Sequence, residues 1–187
     1  MTEQQQDLGT QLPFREGKYA RVERERRFLL ASPPALDSAT AVRRVTDRYL
    51  DGTRLRLRLV ELRDSGGVEL KLTQKVAADR PGPVQGLITN IYLSPDEYDR
   101  LLALPAATLR KTRYSFPPLG VDVFDAPLHG LVLAEAEFDS DEEASAFPPP
   151  PGTLAEVTDD PRFTGGRLVR TERPELLVWL AEFVVSP

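Results

Sequence analysis

The residues of this chain that could do chemistry are charged side chains spaced two positions apart. They fall in a few short segments, which hold Glu23, Glu25 and Arg27; Arg54, Arg56 and Arg58; Lys71, Thr73 and Lys75; Lys111 and Arg113; Asp122, between two valines; and Glu135 and Glu137. Side chains two apart share one face of a β-strand. The spacing therefore predicts strands with a charged face. Arginine, lysine and carboxylate side chains together suit a polyanion and a metal ion that bridges it.

Two arrangements are compatible with these charged faces. In an antiparallel sandwich they would face solvent, while the apolar residues between them formed the core. In a roomy barrel they would line a polar interior, where carboxylates and guanidinium groups partly neutralise one another and so limit the desolvation cost. Each segment alone fits either arrangement. Together they favour the barrel, whose interior would bind a polyanion.

The elements that must position these residues are mainly strands. Alternating patterns predict strands at 19–30, 42–50, 54–62, 68–76, 87–93, 109–116, 120–124 and 131–138. A helix is predicted from the cap Ser94, with Pro95 at its first position and Glu97 closing a capping box, to about residue 104. A shorter helix is predicted at 140–146, and apolar residues at helical spacing predict another at 174–184. The fold class is mainly β: a closed eight-stranded antiparallel barrel with a few surface helices, since closure removes exposed edges.

Length and composition restrict the alternatives. The chain has 187 residues, and we interpret 1–17 as a disordered tail and 18–187 as a single domain with a C-terminal helix. Without cysteine it can form neither disulfides nor thiolate metal sites, and its one histidine, His129, lies beside a glycine in a predicted turn. The net charge of −5 argues against bulk nucleic-acid binding, and no apolar run is long enough to span a membrane. We expect a cytoplasmic protein that binds a small molecule, with a homodimer as one option.

Short motifs spread over most of the chain resemble those of one family. They are VERERRF (22–28), YLDGTRLRLR (49–58), LTQK (72–75), LRKTRY (109–114), VDVF (121–124), LAEAEF (133–138) and EVTDDPRFTGG (156–166). The first resembles the glutamate-x-glutamate-x-lysine signature of CYTH proteins, also called triphosphate tunnel metalloenzymes. Each motif is weak alone, but their order and spacing make the resemblance specific. It implies an eight-stranded barrel that acts on triphosphate compounds with Mg²⁺ or Mn²⁺.

The resemblance also implies roles for individual residues. The expected metal ligands are Glu23, Glu25, Glu135 and Glu137, with Asp122 as a further ligand or as a residue that orients one. The expected phosphate ligands are Arg27, Arg56, Arg58, Lys75, Lys111 and Arg113. Lys75 and Glu25 are the expected catalytic residues. Because histidine is lacking at these positions, the base that activates water would be a lysine, a carboxylate or the metal itself.

Two departures from the family pattern bear on activity. Arg27 replaces the signature lysine, and an arginine binds phosphate well but cannot act as a base. A strand that in the family carries an arginine and two glutamates has Gly86, Ile88 and Asn90 here. The compact chain is similar to the bacterial branch that hydrolyses inorganic triphosphate. The alternatives are a non-catalytic module that binds polyphosphate or nucleotide, a thiamine triphosphatase, and a class IV adenylate cyclase.

Overall fold

A computed structural model describes residues 19–78 and 81–184, so the predicted tail at 1–17 lies outside the described residues. Within these ranges nine strands and four α-helices follow one another. The strands are β1 (Arg21–Leu30), β2 (Ala41–Leu50), β3 (Leu55–Leu62), β4 (Val68–Ala77), β5 (Val84–Tyr92), β6 (Ala106–Phe116), β7 (Leu119–Phe124), β8 (Val132–Glu137) and β9 (Thr153–Glu156). The helices are α1 (Pro95–Leu102), α2 (Asp141–Ala146), α3 (Gly165–Leu168) and α4 (Arg173–Val184). Short 3₁₀ helices lie at Leu36–Ser38 and Pro161–Phe163.

The first eight strands form a closed antiparallel barrel. Their order is β5-β4-β3-β2-β6-β7-β8-β1, and β1 also pairs with β5, which closes the ring. The predicted eight-stranded barrel is therefore confirmed. The ninth strand, which was not predicted, pairs with the second half of β1 outside the ring.

Strand β1 keeps backbone hydrogen bonds along its length although its pairing with β5 ends halfway along it. The pairing of β1 with β5 shifts register between Glu23 and Arg24, and pairing with β9 begins only at Phe28. Between these two ladders, the backbone N–H of Glu25 donates to the carbonyl of Pro83 (2.8 Å), and that of Arg27 donates to Thr158 Oγ1 (3.0 Å). The segment that carries the glutamate-x-glutamate-x-arginine motif thus keeps its backbone hydrogen bonds where the ladder is interrupted.

One end of the barrel is closed by an apolar cluster, which we call the floor. It consists of Leu29, Leu109, Phe124, Leu128, Leu131, Leu133, Val157, Phe163, Leu168, Leu176 and Trp179. Phe163 and Leu168 come from the turn and helix after β9, and Leu176 and Trp179 are the buried face of α4. The motif residues 161–168 therefore fold over the barrel end, and α4 packs outside them. The predicted C-terminal helix is confirmed.

The helix caps follow the predicted chemistry with one difference. At α1, Ser94 Oγ accepts from the N–H of Glu97, and the Glu97 carboxylate accepts from the N–H of Ser94, so this capping box is confirmed. At α2, Ser140 Oγ accepts from the N–H of Glu143, but the Glu143 carboxylate binds the N–H of Asp139 instead of Ser140. In the described ranges, no helix has the length and apolar character needed to cross a membrane.

Candidate functional site

The charged faces of the strands meet inside the barrel, in a cavity of about 1040 Å³. The predicted residues that line it are Glu23, Glu25, Arg27, Arg56, Arg58, Lys75, Lys111, Arg113, Glu135 and Glu137. The register explains this convergence, because Arg58 pairs with Lys71 and Arg27 with Glu135 on neighbouring strands. Residues of the same parity therefore point to the same side of the closed sheet. The barrel interpretation of the charged faces is confirmed, and the sandwich is wrong.

The cavity is positively charged although the chain is acidic. Among the described residues, eleven arginines and lysines line it against eight aspartates and glutamates, an excess of three, while the whole chain has a net charge of −5. The lining residues beyond those predicted as ligands include Arg21, Arg24, Arg43, Arg54, Lys71, Asp47, Glu69, Asp139 and Glu143. A cavity of this sign and shape concentrates anions.

Two arginines on the cavity wall are each held by a buried aspartate. Arg58 donates from Nε and Nη2 to the two oxygens of Asp47 (2.6 and 2.7 Å), and Arg113 donates from Nε and Nη2 to the two oxygens of Asp122 (2.7 and 2.6 Å). Both aspartates are at most 1% exposed. Such two-bond pairs fix the plane of the guanidinium group.

Arg27 is held in the same way by two glutamates. Its Nε donates to Glu135 (3.2 Å), and its Nη2 donates to Glu25. Its third nitrogen, Nη1, is buried and has no hydrogen-bond partner among the described residues. A buried donor without a partner costs free energy, so this atom indicates a place for an acceptor that the protein does not supply.

The three arginines share one feature. In Arg27, Arg58 and Arg113 the carboxylates engage Nε and Nη2, and within the described part of the chain Nη1 donates to nothing. Each guanidinium group is therefore fixed along one edge, with the two N–H donors of Nη1 left over. Donors arranged in this way suit the several oxygens of a phosphate chain.

Asp122 lies behind the cavity wall. It is fully buried, it does not line the cavity, and its oxygens accept from Lys111 and Arg113. This position favours orientation over direct metal ligation, the two roles that the resemblance implies for it. Burial lowers the pKa of Lys111, and the charge of Asp122 opposes that shift.

Two adjacent glutamates of the cavity have opposite pKa shifts. Burial, followed by the charge of Glu135, raises the pKa of Glu25. Burial also acts to raise the pKa of Glu135, but Arg113 and Lys111, with Arg27, outweigh it and hold that pKa well below its ordinary value. At neutral pH Glu135 is the permanent anion of this group, and Glu25 is the carboxylate that a further positive charge would stabilise most.

The other expected ligands lie nearer the solvent. Lys75, whose side chain is 43% exposed, donates to Glu23 (2.6 Å). Glu137 is exposed and opposite Glu25 in the β1–β8 pairing. Lys75 and Glu25 interact electrostatically, so the two expected catalytic residues are close enough to act in one site. Their catalytic roles stay predictions.

One position of β5, where the resemblance implies an arginine, has no room for a side chain in this protein. Gly86 has φ of 148°, and a Cβ atom at this position would lie 2.1 Å from the carbonyl oxygen of Val76. Ile88 and Asn90 do line the cavity, where Asn90 Oδ1 accepts from the hydroxyl of Thr73 (2.7 Å). The two family glutamates are thus replaced by an apolar side chain and an amide that is already hydrogen-bonded.

The cavity carboxylates suit a hard cation in their chemistry but do not form a complete site. Oxygen donors are what Mg²⁺ and Mn²⁺ prefer in proteins. Across residues 19–78 and 81–184, however, no three aspartate, glutamate or histidine side chains are grouped closely enough to hold a metal ion. A divalent ion fits this site only together with oxygens from another molecule.

Sequence reasoning missed the inner face of β2. Asp47 and Tyr49 line the cavity from this strand, where apolar and polar residues alternate on the inward face from Arg43 through Val45. Because this face mixes apolar with polar residues, it lacks the run of charged residues by which the inward faces of the other strands were predicted. Tyr49 approaches the floor so closely that a Cβ atom at Gly165 would lie 2.0 Å from its hydroxyl oxygen.

Comparison with known proteins gives a relative that covers most of the chain. The chain is 34% identical over 149 residues to the inorganic triphosphatase of Nitrosomonas europaea, a match that covers 74% of this chain and 91% of that protein. The crystal structure of the inorganic triphosphatase NE1496 superposes with a TM-score of 0.53 at 28% identity, over 81% of this chain and 96% of that one. The PH1819 protein from Pyrococcus horikoshii shares the fold at 14% identity (TM-score 0.50, 86% of this chain and 98% of that one). No protein-family model matches the chain.

Proposed function

The chain belongs to the family of the inorganic triphosphatase of Nitrosomonas europaea, and from that premise we propose that it hydrolyses a phosphoanhydride bond of inorganic triphosphate inside its barrel. The proposal includes membership of the wider CYTH, or triphosphate tunnel metalloenzyme, group, which the motifs of the sequence resemble. It also includes Mg²⁺ or Mn²⁺ as the cofactor. A cytoplasmic location and a homodimer stay predictions.

The observation that carries this proposal is the set of free Nη1 groups on Arg27, Arg58 and Arg113. Nη1 of Arg27 is buried without an acceptor, and Nη1 of Arg58 and of Arg113 likewise has no acceptor among the described residues. Spare donors around one cavity with excess positive charge favour a ligand with many anionic oxygens in a row. Inorganic triphosphate is the simplest such ligand.

The cavity residues would act mainly by binding and by neutralising charge. In phosphoryl transfer, catalysis comes from positioning and from stabilising the negative charge on the equatorial oxygens. Arg27, Arg58 and Arg113 supply fixed donors for these oxygens. Arg56, whose buried Nε has no hydrogen-bond partner in the described structure, adds a further cation.

The carboxylates Glu23, Glu25, Glu135 and Glu137 would hold the divalent ion together with phosphate oxygens. When bound, that ion would neutralise phosphate charge and lower the pKa of a water molecule. We propose Glu25 and Lys75 as the groups that would take a proton from the attacking water.

Phosphate release from three substrates tests the proposal. The purified chain is given inorganic triphosphate, ATP or thiamine triphosphate, each with Mg²⁺, with Mn²⁺ or with a chelator. We expect release from inorganic triphosphate to be fastest and to require the metal. Faster release from either organic substrate would contradict the assignment of substrate, and equal rates with the chelator would contradict that of the cofactor.

A second candidate function is binding without turnover, and the observation in its favour is the inner face of β5. Ile88 and Asn90 provide no carboxylate where the family pattern has two. The same experiment separates the candidates when triphosphate binding is measured by calorimetry alongside phosphate release. Tight binding with no release under any metal would establish the binding module and overturn the hydrolase.

A further inference from the structure

Asp47 is a buried carboxylate of the cavity wall to which neither the sequence motifs nor the proposed chemistry gives a role. It is 1% exposed and lies on β2, directly opposite Arg58 of β3 in the strand pairing. Both of its oxygens accept from Arg58 (2.6 and 2.7 Å), and Arg56 Nε lies 3.4 Å from one of them. Burial acts to raise the pKa of Asp47, but Arg58 and Arg56 outweigh it and hold the pKa below its ordinary value. The group is therefore a permanent anion between two cations.

We propose that Asp47 is a positioning residue of the triphosphate site, which fixes the guanidinium group of Arg58 so that its free Nη1 edge is presented to the phosphate chain. The inference rests on the proposed function. Asp47 itself does not touch the substrate, because both its oxygens are already engaged by Arg58. Asp47 acts instead by fixing the position of the positively charged guanidinium group of Arg58.

The electrostatics of the wall show why such a residue is needed. Burial acts to lower the pKa of Arg58, and so does the charge of Arg113, but the charge of Asp47 and the hydrogen bonds to it outweigh both and raise that pKa. Without Asp47, Arg58 would be repelled by neighbouring cations and free to choose among the many rotamers of a long side chain. Donors that are already fixed in place do not have to reorganise as charge develops, and this is the main source of electrostatic catalysis.

A second arginine–aspartate pair, whose arginine lies on β2, provides a control that distinguishes a positioning role from a purely structural one. Arg44 of β2 also binds both oxygens of an aspartate, Asp125, but the pair does not line the cavity and is about one-third exposed. Asp47→Asn and Asp125→Asn therefore remove the same charge from an arginine–aspartate pair, in the first case on the inner face of β2 and in the second on its outer face, where Arg44 lies. Only the first would disturb an arginine of the cavity.

Steady-state kinetics of the full chain with inorganic triphosphate and Mg²⁺ is the first test. For Asp47→Asn we expect kcat to fall at least about tenfold, the lower range for loss of a supporting group around a site. KM should not rise, because removing a carboxylate makes the cavity more attractive to an anion. Asp125→Asn should keep both parameters within about twofold. A raised KM at unchanged kcat, or equal effects of the two substitutions, would overturn the inference.

A double-mutant cycle tests whether Asp47 acts through Arg58. Arg58→Lys keeps the charge but loses the two-bond geometry. If Asp47 only positions Arg58, then the double variant should be no slower than the slower single variant. Multiplicative losses in kcat would mean that the two residues act independently, and the inference would be wrong. Asp47→Glu, which keeps the carboxylate, should recover more kcat than Asp47→Asn.

A measurement without turnover keeps the inference separate from the proposed function. In ¹⁵N spectra of the ligand-free chain, the Nε–H signal of Arg58, assigned by its loss in Arg58→Lys, should be sharp and protected from exchange. In Asp47→Asn it should broaden or exchange rapidly. An unchanged signal would refute positioning by Asp47 even if the enzyme is active. If wild type shows the protected signal but releases no phosphate from triphosphate, the proposed function fails and the positioning contact stands. Should Asp47→Asn not fold, the same comparison is made with Asp47→Ser, which also removes the carboxylate.

Discussion

Arg58 inside the barrel and Arg26 outside it form the same kind of two-bond ion pair but differ in their third nitrogen. Inside, Arg58 binds Asp47 through Nε and Nη2, and Nη1 donates to nothing in the described structure. Outside, Arg26 binds Glu156 through Nε and Nη2 (2.8 and 2.6 Å), and its Nη1 donates to two carbonyl oxygens at the end of α2. In this comparison the outer arginine has acceptors within the protein for all three nitrogens, whereas the inner one keeps Nη1 available for a ligand.

The outer arginine Arg162 repeats this contrast. It binds Asp160 through Nε and Nη2, and its Nη1 donates to Glu182 of α4 (2.6 Å). Partly exposed pairs of this kind contribute about 0–1 kcal/mol each. Buried pairs such as Arg58–Asp47 carry a desolvation cost that ion pairing alone does not clearly recover. The inner pairs are therefore better explained by ligand binding than by stability, and the predictions below test that difference.

The largest expected effect is the loss of one inner carboxylate. Glu25→Gln should lower kcat for triphosphate by more than about 100-fold, since even groups that only support metal ligands contribute about 10–100-fold. The fold should be retained, because burial already raises the pKa of Glu25 and a neutral amide of similar volume suits the site. Phosphate release and thermal unfolding measure the two effects.

The matched outer change is Glu156→Gln, which alters the carboxylate that Arg26 binds on the outer surface. It should leave kcat within about twofold, as expected for a partly exposed pair. Near wild-type turnover of Glu25→Gln at saturating Mg²⁺ would show that Glu25 is not a metal ligand.

A smaller effect is expected for an inner arginine that no carboxylate holds tightly. Arg56→Ala should raise KM for triphosphate by about 10–100-fold with a smaller change in kcat, since a hydrogen bond to a charged group contributes about 1.5–3 kcal/mol. Removing Arg56 leaves no carboxylate without a partner, because Asp47 still pairs with Arg58. Removing Arg113 would instead take a partner from both Asp122 and Glu135, so its effect on binding would be harder to interpret. Arg110→Ala, on the exposed face of β6, is the control. Equal KM values for the two variants would exclude Arg56 from the binding site.

Metal binding should depend on the phosphate chain. Because no three carboxylates in the described ranges are grouped to hold a metal ion, Mg²⁺ or Mn²⁺ should bind the free chain weakly. With a slowly hydrolysed triphosphate analogue, we expect binding at least about tenfold tighter, since phosphate oxygens complete the coordination. Calorimetric titrations with and without the analogue measure this. Tight binding to the free chain, unchanged by the analogue, would show that the four glutamates suffice.

The sequence predicted the barrel and most of the inner wall because the charged segments had an unbroken two-residue spacing. In β3, arginine and leucine alternate without exception from Arg54 to Leu59, so parity alone assigns every side chain. The inward face of β2 mixes Val45 with Asp47, and no periodic signal separates its two faces. An alternation of charged and apolar residues thus predicts a polar interior. A single buried charged residue on a strand that lacks this alternation can be identified only from the structure.

Other features depend on contacts that a local pattern does not contain. Strand β9 is four residues long and forms only because β5 has left the edge of β1. Whether an arginine keeps Nη1 free depends on which carboxylate lies beside it inside the barrel. These neighbours are set when the strands close into a ring, so the sequence pattern does not contain them. The motif at 156–166 was recognised by resemblance, yet its folding over the barrel end could not be derived from its spacing.

The smallest expected effect concerns an outer pair and its dependence on pH. Burial acts to raise the pKa of Asp160, but hydrogen bonds from Arg162 outweigh it, so the folded-state pKa is below the ordinary value. A lowered carboxyl pKa contributes stability above the unfolded value of about 3.9, and this contribution is lost as the pH falls through the folded pKa. Asp160→Asn should therefore reduce the free energy of unfolding by less than about 1 kcal/mol at pH 7, with a difference that shrinks below about pH 4. Urea unfolding of both proteins between pH 3 and about pH 7 measures it, and kcat should not change. A loss that is constant over this range would show that the pair's contribution does not come from its charge.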